Sequence, residues 1–183
     1  MTAGHCLAAY PTGRAAVESA LYGWYLANNA EASQRWHNKP NDREQLKKWN
    51  NEFKFSSLAK TLSDKIQELA KWAKYLHQTA IDLGGHPNQN ALYSNMEHEQ
   101  SEDGSCMLKM THLHPWNVFS ISTTKFTIET GMFTIRLFSL SFPNANQILN
   151  LTEDSSRLVE NLKHLQKLVT PAFPFHYVLA SEA

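Results

Sequence analysis

Apolar residues recur at intervals of three and four along much of this chain, a period that predicts helices. The longest run is Leu58, Leu62, Ile66, Leu69, Ala73, Leu76, Ala80 and Leu83. It predicts a helix over 63–83, with Ser63-Asp64 as its start or as a polar break within the run. Residues 14–27, "RAAVESALYGWYLA", are apolar nearly all round, which marks a helix buried on most of its surface, and Pro11 and Gly13 suit its start. A polar, lysine-rich helix over 42–55 carries one seam of Leu46, Trp49 and Phe53. A last helix, 153–169, aligns Leu158, Leu162, Leu165 and Val169, with Pro171 beyond it.

Between these elements the pattern is less regular. "LGGHPNQN", residues 83–90, stops a helix with two glycines and holds His86 in the extended conformation that a following proline imposes. The chain then resumes briefly as helix, loops through the acidic run "EHEQSED", and becomes extended in "CMLKMTHLHP" until Pro115 ends it. Residues 116–142 fit two readings. Their β-branched and aromatic content suits a hairpin turning at Gly131, while Val118, Ile121, Ile128, Met132 and Ile135 lie near one helical stripe, with Lys125 and Glu129 four apart. The expected architecture is all-α, a single helical bundle over 1–183 in which the 14–27 helix packs centrally against the 63–83 helix. Residues 106–142 stay open, with a short β element among the alternatives.

Composition narrows the partners. With 183 residues the chain can bury one real core, and its 17 basic residues balance 17 acidic ones. No net field therefore draws it to nucleic acid or an anionic membrane, and any such partner must be met by a local patch such as the basic stretch 35–54. Two cysteines, Cys6 and Cys106, in a chain too large to need a staple point to the cytoplasm. Arg14 and Glu18 interrupt the first apolar segment, so no secretory signal is read. Lys125, Glu129 and Arg136 interrupt the later one, so no membrane span is read and no membrane partner is expected.

The chemistry starts from Arg14 and Glu18, a charged pair four apart on an otherwise apolar helix. Buried charges persist when paired and hydrogen-bonded, so a third polar partner is expected. His86, at the end of a helix that must pack nearby, is the candidate, and Asn88 joins it. The four residues form either a ligand site or a polar knot that pins a loop to a core helix.

"GRAAVESALYGWYL", followed some sixty residues later by "HQTAIDLGGHPNQN", resembles an uncharacterised group of bacterial all-helical proteins that pair an R-x-x-x-E helix with a later G-x-HPN turn. The likeness spans most of the chain and is carried best by "GGHPN" and "GRAAVE". In that group the first motif follows an earlier helix, whereas about a dozen residues precede it here, so an N-terminal helix is expected to be missing. Such bundles are similar in outline to the HEPN superfamily, whose active members are metal-independent ribonucleases with an arginine followed by a histidine on one helix. "RLVENLKH" offers Arg157 and His164 in the loosest form of that pattern, with Leu158 where active members commonly have a polar residue. The histidine would act as general base on a ribose 2′-hydroxyl and the arginine would stabilise the phosphorane. Seven residues apart, the two lie about 20° apart round a helix, on a face roughly 100° from the leucine stripe.

Weaker candidates follow. His112 and His114, with Glu97, His98 or Asp103, would need a fixed third ligand to hold a metal, so neither a metal nor any other cofactor is expected. Arg35, Trp36 and His37 resemble a basic-aromatic contact, against which Trp36 reads instead as an anchor for the following helix. The functional expectation is an HEPN-like, non-catalytic or regulatory binding module, homodimeric, with Arg14, Glu18, His86 and Asn88 as its polar site. The alternatives are a metal-independent ribonuclease of toxin or defence type, with RNA as partner and Arg157 and His164 as catalysts, and an oligomeric scaffold completed by the 116–142 segment.

Overall fold

The structure, a computed structural model, describes residues 6–85, 89, 93, 95–100, 104–111 and 113–169, and these are mostly helical. Helix α1 (Cys6–Ala27) lies against α4 (Phe55–Lys65), α5 (Gln67–Ala80) and α6 (Val118–Ser141), while the shorter α2 (Ala30–His37) and α3 (Arg43–Phe53) connect α1 to α4. A short α7 (Ala145–Leu149) leads to α8 (Leu151–Val169), which packs along α6. Strands β1 (Met96–Gln100) and β2 (Cys106–Met110) pair antiparallel, with Met96 opposite Met110 and Gln100 opposite Cys106. Tyr10, Val17, Leu21 and Trp24 of α1 meet Leu58 and Leu62, Leu69, Ala73 and Leu76, and Phe126, Phe133 and Leu137 in one core. No helix among the described residues is long and apolar enough to cross a membrane.

The all-helical reading with a short β element holds, and several boundaries move. Helix α1 is already formed at Cys6, with Pro11 inside it rather than before it. Pro11 has no N–H to give the Leu7 carbonyl four residues back. Gly84 lies against that carbonyl, which a Cβ there would approach to 3.6 Å, and against Tyr10, at 3.1 Å. The expected 63–83 helix is two helices, broken at Ile66 (φ −143°, ψ 85°), whose N–H still bonds the Leu62 carbonyl at 2.7 Å. Ser63-Asp64 is neither its start nor its break. Beyond Ala80 the chain leaves α5 through a wide turn, Ile81–Gly85.

Part of the acidic run, expected as loop, is strand β1, where Glu99 pairs with Lys109 across the hairpin. The 116–142 stretch is one helix. Asn117 and Ser120 cap its start reciprocally, and Gly131, the expected hairpin turn, sits inside it against Leu158 of α8. Its hydroxyl residues suit a helix because Thr123, Thr124, Thr127, Thr134, Ser139 and Ser141 each donate to the carbonyl four residues back. Lys125 and Glu129 make the expected pair at 2.6 Å, and Lys125 also lies 5.7 Å from the Tyr75 ring.

Close helix contact sets the position of α1. A Cβ at Gly13 would stand 2.4 Å from Phe126 Cε1, so only glycine lets α6 bring that ring onto the α1 backbone. One turn earlier the Tyr10 ring lies 4.8 Å from Phe126, and its hydroxyl shares a 3.1 Å hydrogen bond with Thr123.

Candidate functional site

Arg14 and Glu18 project from α1 on one flank of its buried face, where α5 crosses. Arg14 Nε donates to Glu18 Oε1 at 2.9 Å, and His77 Nε2 lies 3.0 Å from the same oxygen. The expected third partner is thus present, and among the described residues it is His77, in the last turn of α5. His86 and Asn88 lie outside the described residues. An ionised carboxylate offers only acceptors, so His77 donates through Nε2–H. The imidazole lies flat on Phe55, the first residue of α4, with ring centroids 3.7 Å apart and planes at 10°. Side-chain exposures of 29% for Arg14, 33% for Glu18 and 12% for His77 leave the carboxylate within reach of solvent and fix the imidazole.

The Glu18 carboxyl is held below its ordinary value of 4.5: burial pushes it up, but the hydrogen bonds and charges of Arg14 and His77 outweigh that. The unfolded chain binds the Glu18 proton more tightly than the folded one. Stability from the ionised group is therefore fully present above 4.5 and lost as pH falls through the folded value. Glu18→Gln should be less stable than wild type at neutral pH, with the gap closing in acid below 4.5. Urea melts across that range check this, and a gap that stays constant into strong acid would mean that Glu18 acts through shape alone.

A second cluster joins α1 to α2 and α3. Trp36 stacks on Trp49 at 4.8 Å and 19°, both rings meet Phe53, and Tyr22 closes the group 4.8 Å from Trp36. Arg35 grips Glu52 through Nε and Nη2, and the Tyr25 hydroxyl donates to the same carboxylate at 3.0 Å. The Arg35 hydrogen bond leads in holding Glu52 below its ordinary value. Part of the basic 35–54 stretch is thus neutralised within the fold.

The remaining candidates are separate. Arg157 and His164 are exposed on α8, and Arg157 is engaged by Glu153 at 3.1 Å and Asp154 at 3.9 Å. Two helical turns put the pair about 10 Å apart along the axis. His98 Nε2 lies 2.8 Å from Cys106 Sγ and His114 Nε2 2.7 Å from Asn95 Oδ1, while His112 and Asp103 lie outside the described residues. Among the described residues no group of three or more histidine, cysteine or acidic side chains could hold a metal. Sequence reasoning missed His77. The available signal was a histidine directly after Leu76, at the edge of the Ala73, Leu76, Ala80 seam.

No family model matches the chain, and no curated protein or solved structure does. The reading of function therefore rests on geometry.

Proposed function

We propose that the protein is a non-catalytic helical binding module, HEPN-like in outline, with Arg14, Glu18 and His77 as its polar site and His86 and Asn88 as candidates to extend it. The observation that carries this reading is that both donors converge on Glu18 Oε1, which leaves Oε2 to accept from an N–H or O–H of a ligand. A carboxylate held below its ordinary value is a poor proton acceptor near neutrality, which favours binding over general-base catalysis. A homodimer accords with the apolar side chains exposed on β2 and beyond it, among them Leu108, Met110, Leu113 and Trp116. Cys6, buried, and Cys106, exposed, are both free thiols, which accords with a reducing cytoplasm.

The ribonuclease reading draws support from the exposure of Arg157 and His164 on one face of α8. The carboxylates on Arg157 weigh against it, because they occupy the charge that would meet a phosphorane.

Titration with methylguanidine and N-methylurea, followed on the His77 imidazole resonances, is the direct test. Saturable shifts in wild type that vanish in a folded Glu18→Gln are expected, whatever His77→Ala costs in melting temperature. No shift, with a large loss of melting temperature in His77→Ala, would make the cluster a knot that holds α4 and α5 to α1. Cleavage of mixed-sequence single-stranded RNA in excess chelator, absent in Arg157→Ala and His164→Ala, would replace this reading with the ribonuclease.

A further inference from the structure

On the other flank of α1, roughly 170° round the helix from Arg14 and Glu18, a groove of about 560 Å³ opens between α1 and α6. Ala9, Gly13 and Ala16 form its α1 wall, and Thr130, Gly131 and Ile135 face them from α6. None of the described residues lining it is charged. Small side chains on both walls make a smooth apolar trough, and its size falls in the range of small-molecule sites, roughly 300–1,000 Å³.

Four of its lining residues are threonines, Thr12, Thr127, Thr130 and Thr134, and the hydroxyl of Thr130 lies sealed beneath the trough. Thr130 is 5% exposed, and its Oγ1 is buried with no hydrogen-bond partner among the described residues. Six other hydroxyls on α6 bond the carbonyl one turn back, an option open to any helical threonine. Thr130 instead turns its hydroxyl toward α1, 3.5 Å from where a Gly13 Cβ would stand. Buried hydroxyls without partners are uncommon and call for an explanation.

We propose that the α1–α6 groove is a binding site for a small, uncharged apolar molecule carrying a single hydroxyl or carbonyl oxygen, and that Thr130 is its polar anchor. The uncharged lining excludes an ionic head, since a charge placed there would be desolvated with no counter-charge. The trough takes the apolar body, and because Thr130 Oγ1 is sealed as it stands, it meets the ligand oxygen by turning between the two rotamers open to a helical threonine. This site shares no residue with the polar cluster, so the two readings stand or fall separately.

The test uses the full chain with 1-octanol as probe and octanoate as its charged counterpart, followed by methyl NMR. Octanol should shift the Ala9, Ala16 and Ile135 methyls saturably, and octanoate should bind at least roughly tenfold more weakly. Thr130→Val keeps the shape and removes the hydroxyl, so octanol affinity should fall roughly fivefold, the worth of one hydrogen bond. Ala16→Phe fills the trough from its half-buried rim, so binding should be abolished, and this variant carries the test if Thr130→Val does not fold. No saturable shift at these methyls, equal affinity in wild type and Thr130→Val, or octanoate binding as well as octanol would each overturn the proposal.

Discussion

Phe133→Ala should lower the free energy of unfolding by about 3–5 kcal/mol, the cost of a deleted core aromatic plus the cavity left behind. Phe133 is fully buried, and its ring meets Trp72 of α5 edge-on with centroids 5.8 Å apart. It therefore joins α6 to α5, and the space it leaves is bounded by helices that cannot all close at once. For a chain of this size the loss corresponds to a drop of roughly 6–20 °C in melting temperature. Urea unfolding with an unchanged slope is the measurement, and a loss under about 1 kcal/mol would show that Phe133 is not buried between the two helices.

Gly13→Val should cost about 2–3 kcal/mol, for the opposite reason. The added Cβ meets Phe126 Cε1 at 2.4 Å and Cζ at 2.6 Å, and its position is fixed by the backbone, so α1 and α6 must part or the ring must leave its rotamer. Any residue but proline has better helix propensity than glycine at this position, by up to roughly 1 kcal/mol, which shows how strongly the contact selects for glycine. Phe126→Leu should relieve most of the clash, making the double variant more stable than the sum of the two single losses. Strict additivity would show that Gly13 and Phe126 do not touch.

The helical class, α3 and α8 were legible because their apolar residues recur at the helical period, and the central role of α1 because it is apolar nearly all round. The break at Ile66 was not, because Ile66 keeps the three-and-four count intact while its backbone leaves the helix. Helix α6 was ambiguous for a physical reason. Threonine, isoleucine and phenylalanine suit a strand, and Gly131 suits a turn, until the Asn117 cap, the hydroxyl bonds along the helix and the fit against Leu158 decide the matter. At the polar site, Arg14 and Glu18 were readable from their spacing, as was their need for a third partner. His77 was not, since its identity depends on how α5 is rotated against α1, which no local pattern encodes. The unpartnered hydroxyl of Thr130 is a tertiary fact in the same sense: in the sequence it is one of many threonines.

The bond between Tyr10 and Thr123 closes a loop of 113 residues. At ribosomal rates of 5–20 residues per second, about 6–23 s of synthesis separate the two partners. Through that interval α1 can close against α2, α4, α5 and the Ile81–Gly85 turn, but the seam that awaits Phe126 and Phe133 stays open. The newly made chain thus carries a sticky helix for most of its production, and its solubility in the cell depends on whatever shields that helix until α6 arrives.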